Sequence, residues 1–365
     1  MGHIPTGLIG APGIGKSSIA LTVLHDDRIK RRFGENHVFI RCYGFLASRA
    51  HFLRHLSLMT GAGIKNPEEL STLRPFLSSK EMFIVLDNAE SILDPYGPNA
   101  QEIHAVVEEL TQFRNICLCI TSRISTILAD CHTIEIPTLG AGDANNAFYQ
   151  IYRRGERSNA INNILGELDF HPLSIVLLAT VAQQNRWDSH RLTGEWYRRR
   201  TGALRTRHSG SLAAAIELSF ASPMFQTLGP DARSLLEVIA FFPQGVNEEN
   251  KCFYDTQHML NRFCFLSLTY RDDGFVTMLA PIRDYLCPKD PASSSLLAGT
   301  KVRYFARLSG SVIPGQLGFE ETRWIATEDA NVEHLLDVFT TIDANLDNVW
   351  AACSGFMIRL YWHKP

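Results

Sequence analysis

Apolar and polar positions alternate along the first 139 residues in a way that predicts strands separated by helices. Short, nearly continuous apolar runs indicate buried strands, and apolar positions spaced three to four residues apart indicate helices. This alternation is typical of a parallel sheet covered by helices on both faces. After a first strand at residues 8–9, the predicted strands are 37–42, 82–86, 116–121 and 133–136, and the predicted helices are 17–25, 50–59, 101–113 and 124–129.

Beyond Leu139 the pattern becomes mainly helical. Residues 140–143 break the alternation, and Asp143 is the expected N-cap of the next helix. A segment rich in Arg, Gly and Ser before Leu212 predicts a linker. The predicted helices are 144–153, 158–168, 173–184, 212–220, 230–242 and 255–263, and strand-like runs at 264–270 and 275–279 flank a turn at 272–274.

These changes of pattern predict four domains. The first, at 1–139, is an α/β domain with a parallel sheet, and the second, at 140–208, is helical. Helices followed by a hairpin have the order of a winged helix, which predicts a winged-helix domain at 209–290. A proline and serine segment then precedes a C-terminal helical segment at 300–365.

Composition narrows the class of protein only moderately. The net charge of −3 gives no general attraction to nucleic acid or to an anionic membrane. Eight cysteines without zinc-ligand spacing fit a reduced, cytoplasmic protein. The longest fully apolar run, 175–182, is too short to cross a bilayer. Residues 1–6 match the loose N-myristoylation pattern, and the alternative is that Met1 is a start within a longer ancestral domain.

The segment from Gly10 to Ser17 carries the strongest chemical signal. It fits the pattern G-x-x-x-x-G-K-[ST], in which glycines let backbone N–H groups approach phosphates and the following helix directs its positive end at them. Lys16 would neutralise phosphate oxygens, and the Ser17 hydroxyl would hold Mg²⁺. A glycine-rich turn without a ligand is the alternative, and the order strand, loop, helix favours the nucleotide site. The expected phosphate-binding residues are Gly10, Gly13, Gly15, Lys16, Ser17 and Ser18.

Two later strands end in polar residues that suit the same site. Asp87 closes an apolar run in the Walker B form and would bind Mg²⁺ from the end of a neighbouring strand, although such an Asp also starts turns. Because Asn88 is not a base, Glu90 is the nearby carboxylate able to orient water, or else a surface residue. Arg123, after a third buried strand, would sense a γ-phosphate or simply enter solvent.

In this order, these residues resemble the NB-ARC type of STAND P-loop NTPase, the signalling switches of plant resistance proteins and animal apoptosis scaffolds. The likeness is strongest to fungal members with the form LDNAES, here residues 86–91, and it covers nearly the whole chain. Residues 170–173 match the family's GLPL motif, which implies that Pro172 lies against the adenine. The alternative interpretation is that His171 and Pro172 only start a helix, with proline near its first position. A helix start and a contact with adenine are compatible.

Two departures from the family pattern bear on nucleotide binding. Leu279 stands where the family's Met-His-Asp motif has the histidine that contacts the ADP β-phosphate. We expect that contact to be absent or replaced by His258 or Arg283, although both have structural alternatives. Only residues 1–6 precede the first strand, where relatives carry a segment that covers the adenine, so weak affinity or specificity for ATP is expected. Because the family's effector domain and repeats, often tetratricopeptide repeats in fungi, are missing, we expect a switch module truncated before its repeats.

The resemblance implies a signalling switch that binds ATP or ADP with Mg²⁺ and hydrolyses ATP slowly or not at all. ATP would open the domains and let the protomers form a homo-oligomer, with effector or repeat-domain partners on other chains. A degenerate nucleotide-binding interaction module and an ATP-consuming AAA-like enzyme are the alternatives. The arginines from Arg191 to Arg207 have no aromatic ladder, which favours a solvated linker or interdomain face over nucleic acid. No membrane partner is expected.

Overall fold

A computed structural model of the protein describes residues 4–42, 48–64, 67, 69–93, 100–124, 128, 130–203, 210–287, 295–309, 324 and 327–342. The chain divides into two compact units, Met1–Thr138 and Leu139–Pro365. Each unit is described by itself, and the division into four domains stays a prediction.

The first unit is built on a five-stranded parallel sheet. Its strands follow the order β2-β3-β4-β1-β5 once they are numbered along the chain. The predicted strands are confirmed, each to within two residues at either end. The strands are β1 (Thr6–Ile9), β2 (His37–Arg41), β3 (Met82–Asp87), β4 (Ile116–Ser122) and β5 (His132–Glu135).

Helices cover both faces of this sheet. Along β3, Phe83 and Val85 pack in one apolar cluster with the first two helices, whereas Ile84 and Leu86 pack in another with helices three, four and six. Side chains of a strand point alternately to opposite faces, so both faces are buried and the predicted fold class is confirmed. The helices are α1 (Lys16–Leu24), α2 (Asp27–Phe33), α3 (Arg49–Thr60), α4 (Leu70–Ser78), α5 (Glu90–Leu93) and α6 (Ala100–Thr111).

Three of these helices are absent from the sequence prediction. The helix α2 has charged side chains at five of its seven positions, so its one apolar pair, Ile29 and Phe33, is too short a pattern to predict a helix. Asp26 caps it by accepting a hydrogen bond from the Arg28 N–H. The helix α4 contains Pro75, which argues against a helix in sequence reasoning, and α5 is a single turn. The helix predicted at 124–129 lies mostly outside the described residues.

The strand order corrects one expectation. The strand β4 lies between β1 and β3, with Leu8 opposite Thr121 and Leu86 opposite Ile120, so Asp87 does not come from a strand next to β1. All three strands nevertheless run in parallel and end at the same edge of the sheet. The end of β4 therefore lies between Asp87 and the loop that follows β1.

The second unit is mainly helical. Three of its helices agree closely with the prediction, but α7 is capped by Gly140 rather than by Asp143, which lies in the first turn. Its first five helices are α7 (Ala141–Ile151), α8 (Asn159–Glu167), α9 (Pro172–Gln184), α10 (Ser189–Ala203) and α11 (Gly210–Phe220).

The predicted linker before Leu212 is partly wrong, because α10 occupies residues 189–203. Among its arginines, this helix has two buried apolar residues, Leu192 and Trp196, which pack in the core of this unit. The Trp196 indole also donates a hydrogen bond to Glu167 Oε2 at 2.8 Å. Apolar burial at two positions holds a helix whose surface is otherwise polar. Arg205 and Arg207 lie outside the described residues.

A small antiparallel sheet, in the order β6-β8-β7 of the strands given below, follows these helices. The hairpin turn has positive φ at Asp273 and Gly274, the conformation of a type I′ turn. The strand predicted at 264–270 is wrong except at its last residue, because a helix continues to Phe265 and the strand begins only at Tyr270. The elements are α12 (Pro223–Gln226), α13 (Asp231–Phe241), β6 (Val246–Asn247), a 3₁₀ helix (Lys251–Thr256), α14 (Gln257–Phe265), β7 (Tyr270–Asp272), β8 (Phe275–Thr277) and α15 (Ala280–Leu286).

Two C-terminal helices, α16 (Ser295–Ser309) and α17 (Asp329–Ile342), are joined to this region by a buried carboxylate. Glu328 accepts hydrogen bonds from Trp324 Nε1 at 2.7 Å, from Asn250 Nδ2 at 2.8 Å and from the Tyr304 hydroxyl. Burial raises the pKa of Glu328, and the hydrogen bonds from its partners oppose the rise without cancelling it. Much of the predicted helical segment 300–365 lies outside the described residues.

We predict that Glu328→Gln removes one component of the pH dependence of stability. Between the ordinary pKa of glutamate and the raised value, the folded protein holds a proton that the unfolded chain has lost. The free energy of unfolding therefore falls as the pH rises through this window. A glutamine does not titrate there, so the difference in free energy between variant and wild type should move in the variant's favour with rising pH. Urea denaturation from about pH 4 to about pH 8 measures it, and a constant difference would contradict the prediction.

Candidate phosphate-binding site

The loop between β1 and α1 has the backbone geometry that its glycines allow. The φ angles of Gly10, Gly13 and Gly15 are 150°, 77° and 106°, and residues other than glycine rarely adopt such positive values. A Cβ atom at Gly10 would also lie 3.0 Å from the Ile136 carbonyl oxygen. The loop thus depends on glycine for its backbone and, at Gly10, for space.

The helix α1 begins at Lys16, directly after this loop. Its N-cap, Gly15, makes no side-chain capping bond, and the first N–H groups of a helix have no partner within the helix. Ser17 is half-buried and Ser18 is exposed in this first turn. A loop and helix start of this kind present several N–H groups and the positive end of the helix dipole to an anion.

The Lys16 ammonium is folded back over the loop. It donates hydrogen bonds to the Gly10 carbonyl oxygen at 2.8 Å and to the Ala11 carbonyl oxygen at 3.0 Å, and the residue is 9% exposed. Burial lowers the pKa of Lys16, Glu90 raises it, Arg123 lowers it further and Asp87 raises it. These charges therefore lie close enough to Lys16 to act on its ammonium.

The Asp87 carboxylate is oriented by Thr121 at the end of β4. The Thr121 hydroxyl donates to Asp87 Oδ1 at 2.6 Å and accepts the Asn88 N–H at 2.9 Å. Asn88 has φ of 60°, which asparagine adopts more readily than most residues, and the Ala89 N–H donates to the Thr121 carbonyl oxygen at 2.9 Å. Because Thr121 is 1% exposed and Asp87 8%, this contact fixes the carboxylate away from bulk water.

Glu90 and Arg123, the two predicted catalytic residues, are paired with each other. Arg123 Nε lies 2.9 Å from Glu90 Oε1, and the Arg123 backbone N–H donates to Glu90 Oε2 at 3.3 Å. The two side chains are 28% and 16% exposed. Glu90 is thus engaged by Arg123, and its role as a water-orienting base stays a prediction.

The structure thus brings the P-loop residues, Asp87, Glu90 and Arg123 together at one edge of the sheet. Their binding and catalytic roles stay predictions. Sequence reasoning missed Thr121, which it treated only as a strand end. A polar residue at the buried end of a central strand is the signal that could have identified it.

Pro172 lies in the second unit, at the first position of α9, where His171 Nδ1 accepts the Ser174 N–H and caps the helix. The predicted helix start is confirmed, and contact of Pro172 with adenine stays a prediction. Leu279 is exposed, at 42%. Arg283 donates to the Pro243 carbonyl oxygen and to the Thr277 hydroxyl, both at 3.1 Å, which agrees with its structural alternative.

The oxygen donors at this edge suit Mg²⁺. The Asp87 carboxylate and the Ser17 hydroxyl are hard ligands of the kind that Mg²⁺ takes up together with water and phosphate. Within the described part of the chain, no group of three or more His, Cys, Asp or Glu side chains could form a cage around a metal ion. The two oxygen donors, Asp87 and Ser17, fit a Mg²⁺ ion that also takes water and phosphate oxygens.

Comparisons with known proteins give a fold but no sequence family. No protein-family model and no curated protein matches the chain. A solved STAND protein with a tetratricopeptide repeat sensor from Pyrococcus horikoshii aligns with all of the chain at 14% identity and a TM-score of 0.57. The chain therefore shares the fold of that protein, and the comparison shows nothing beyond the fold. The chain spans 56% of that protein's length, so it corresponds to about half of it.

Two further solved structures align with the chain at lower TM-scores. A Walker-type ATPase from Pyrococcus abyssi aligns over 78% of the chain and 91% of its own length, at 15% identity and a TM-score of 0.40. Cdc6p from Pyrobaculum aerophilum aligns over 82% of the chain and 88% of its own length, at 15% identity and a TM-score of 0.37. At these TM-scores neither carries weight. The STAND family, its NB-ARC subtype and a fungal source stay expectations from motif resemblance.

None of the described helices combines the length and the apolar character that a membrane span requires.

We predict that Thr121→Val destabilises the protein by about 1–3 kcal/mol, because it removes the partner of the half-buried Asn88 N–H and of the buried Asp87 while keeping the side-chain shape. Thr133→Val, on the exposed strand β5, is the matched control and should change stability by less than about 0.5 kcal/mol. Urea denaturation measures both. Equal stability of Thr121→Val and wild type would show that the hydroxyl contacts contribute nothing net.

Proposed function

We propose that the protein is a nucleotide-operated signalling switch of the STAND type that binds ATP or ADP with Mg²⁺. One observation carries the proposal: Lys16, Asp87, Glu90 and Arg123 lie together beside a glycine loop at the start of α1. Such a loop binds phosphates through backbone N–H groups, and Lys16 adds a positive charge. Its residues are Gly10, Gly13, Gly15, Lys16, Ser17 and Ser18.

Lys16 would act in phosphate binding by exchanging one set of oxygen partners for another. Its two carbonyl partners use two of the three hydrogen-bond donors of an ammonium group. Phosphate oxygens offer the same group a charged partner, and charge-assisted hydrogen bonds are stronger than neutral ones. The ammonium is thus already positioned beside the loop that would hold the phosphates.

Ser17 and Asp87 would hold the magnesium ion. Magnesium, when bound, neutralises phosphate charge and orients the phosphate chain. The hydrogen bond from Thr121 keeps the Asp87 carboxylate in one orientation, as partners of metal-binding carboxylates commonly do. Mg²⁺ binding would therefore depend on β4 as well as on β3.

Slow hydrolysis is supported by the state of Glu90. A general base must be within hydrogen-bond reach of the water it activates, and Glu90 is bound to Arg123 by its side chain and accepts the Arg123 N–H. Asn88, which follows Asp87, has no basic group. These features favour a nucleotide-binding switch over a rapidly turning ATPase.

The signalling step would follow from different affinities of the domain arrangements for ATP and ADP. In this proposal ATP favours an open form, opened protomers associate, and the protein acts in the cytoplasm. Pro172 would contact the adenine. The second candidate is a degenerate nucleotide-binding interaction module, favoured by Leu279 in place of the motif histidine. Nucleotide-independent self-association would support this second function.

We predict that the purified protein binds ATP and ADP and that Lys16→Ala lowers the affinity at least about tenfold, because a charged hydrogen-bonding group next to phosphate is lost. Nucleotide released from the denatured protein, together with thermal shifts at millimolar ATP, measures binding. Lys30→Ala, in the exposed part of α2, removes a lysine from the same unit and is the control. No released nucleotide and no thermal shift in wild type would refute both candidate functions.

A second variant tests the metal. Asp87→Asn keeps an oxygen that can accept the Thr121 hydrogen bond but removes the negative charge. We expect the Mg²⁺ concentration for half-maximal enhancement of ATP binding to rise about 10- to 100-fold, with ATP binding in EDTA not weakened. Titration calorimetry measures both quantities. Asp130→Asn, an exposed residue just before β5 and so at the other edge of the sheet, should match wild type. An unchanged magnesium requirement in Asp87→Asn would exclude Asp87 from the metal site.

A further inference from the structure

The ion pair between Glu90 and Arg123 lies at the end of the sheet that carries the glycine loop. Arg123 follows Ser122, which is paired with Ile9 at the end of β1, so the pair lies beside the phosphate loop. The contact joins α5 to the end of β4 through two bonds, from Arg123 Nε at 2.9 Å and from the Arg123 N–H at 3.3 Å. An arginine proposed to contact a phosphate therefore already holds an anion.

The two partners differ in how firmly the fold positions them. Glu90 starts α5, and the preceding turn is fixed to β4 because Thr121 binds the N–H groups of Asn88 and Ala89. Arg123 follows the last residue of β4, where the Ser122 hydroxyl accepts the Ile124 N–H and turns the chain. A guanidinium on a long, partly exposed side chain can change partner at lower cost than a carboxylate at a fixed helix start.

A carboxylate and a phosphate are equivalent partners for a guanidinium, because both offer oxygen atoms in the geometry of its N–H fork. We propose that Glu90 is a placeholder for the γ-phosphate on Arg123, and that this pair sets the preference of the site between nucleoside triphosphate and nucleoside diphosphate. This inference rests on the proposed nucleotide site and assigns Glu90 a role in specificity.

With Glu90 as the placeholder, the diphosphate and the triphosphate differ in what their binding does to the Glu90–Arg123 pair. A diphosphate has no γ-phosphate, so it binds while the Glu90–Arg123 pair stays intact. A triphosphate gains Arg123 only by breaking that pair, so its net gain is the difference between two charged contacts. The pair therefore lowers the triphosphate preference that Arg123 would otherwise confer, and it leaves diphosphate affinity unchanged.

The test compares four proteins: wild type, Glu90→Gln, Arg123→Gln and the double variant. Their affinities for ADP and for the non-hydrolysable β,γ-imido analogue of ATP are measured by titration calorimetry at one Mg²⁺ concentration. We expect Glu90→Gln to bind the triphosphate about three- to tenfold more tightly and ADP within about twofold of wild type. Arg123→Gln should weaken triphosphate binding and spare ADP.

The double variant separates a placeholder from a simple charge effect. Removing a carboxylate near phosphates could raise triphosphate affinity through the electrostatic field alone, and that gain would persist without Arg123. In the placeholder mechanism, Glu90→Gln gives no gain in an Arg123→Gln background, so the double variant matches Arg123→Gln. A gain that persists, or one of equal size for ADP, overturns the inference.

Glu81→Gln is the matched control. Glu81 also pairs with an arginine, Arg32, at 3.3 Å, but the pair is about half exposed and Glu81 is not among the charges that shift the pKa of Lys16. It should leave both affinities unchanged. Thermal unfolding of each variant confirms folding, since glutamine keeps an oxygen for the Arg123 N–H. Wild type that binds neither nucleotide refutes the proposed function itself, whereas nucleotide binding without these differences refutes only the placeholder.

Discussion

A buried ammonium group requires oxygen partners, and this requirement organises the functional edge of the first unit. Lys16 meets it with two carbonyl oxygens of its own loop, which can turn toward the side chain only because glycines give that loop its backbone angles. The Glu90 and Asp87 carboxylates stabilise the charged form at longer range. Loop, helix start and acidic side chains are thus parts of one electrostatic arrangement.

The strand order explains why the two acids at this edge behave differently. Since β4 separates β1 from β3, Thr121 near the end of β4 contacts Asp87, and Arg123, directly after β4, contacts Glu90. Thr121 binds Asp87 through a short hydroxyl contact that leaves little freedom, whereas Arg123 binds Glu90 through a long side chain that can exchange partners. The same strand end therefore provides a fixed carboxylate suited to a metal and a carboxylate whose partner can be replaced.

The sheet was the part of the fold that the sequence predicted best. Its strands are buried on both faces and appear as apolar runs, as in 82–87, where all six positions are buried. The charged helix α2 and the arginine-rich helix α10 escaped prediction because each is anchored by a single pair of apolar residues four positions apart, which is too short a pattern among charged neighbours. The glycine loop was recognisable because its geometry is local.

Contacts within the site were harder to predict for the opposite reason. Glu90 and Arg123 are 33 positions apart, as are Asn88 and Thr121, and each pair meets only because β3 and β4 are neighbours. Single-sequence reasoning placed Glu90, Arg123 and Asp87 at strand ends without showing which of them touch. The pairing of the two predicted catalytic residues is therefore information that the fold adds to the motif.

That pairing bears on how a slow ATPase could serve as a switch. A switch needs a difference in affinity between its states, and rapid hydrolysis would remove the ligand that maintains one of them. In the proposed site, the candidate base is engaged until a triphosphate takes Arg123, so water activation could begin only after the triphosphate has been recognised. Recognition of the triphosphate then precedes its hydrolysis, because the same arginine binds either the Glu90 carboxylate or the γ-phosphate.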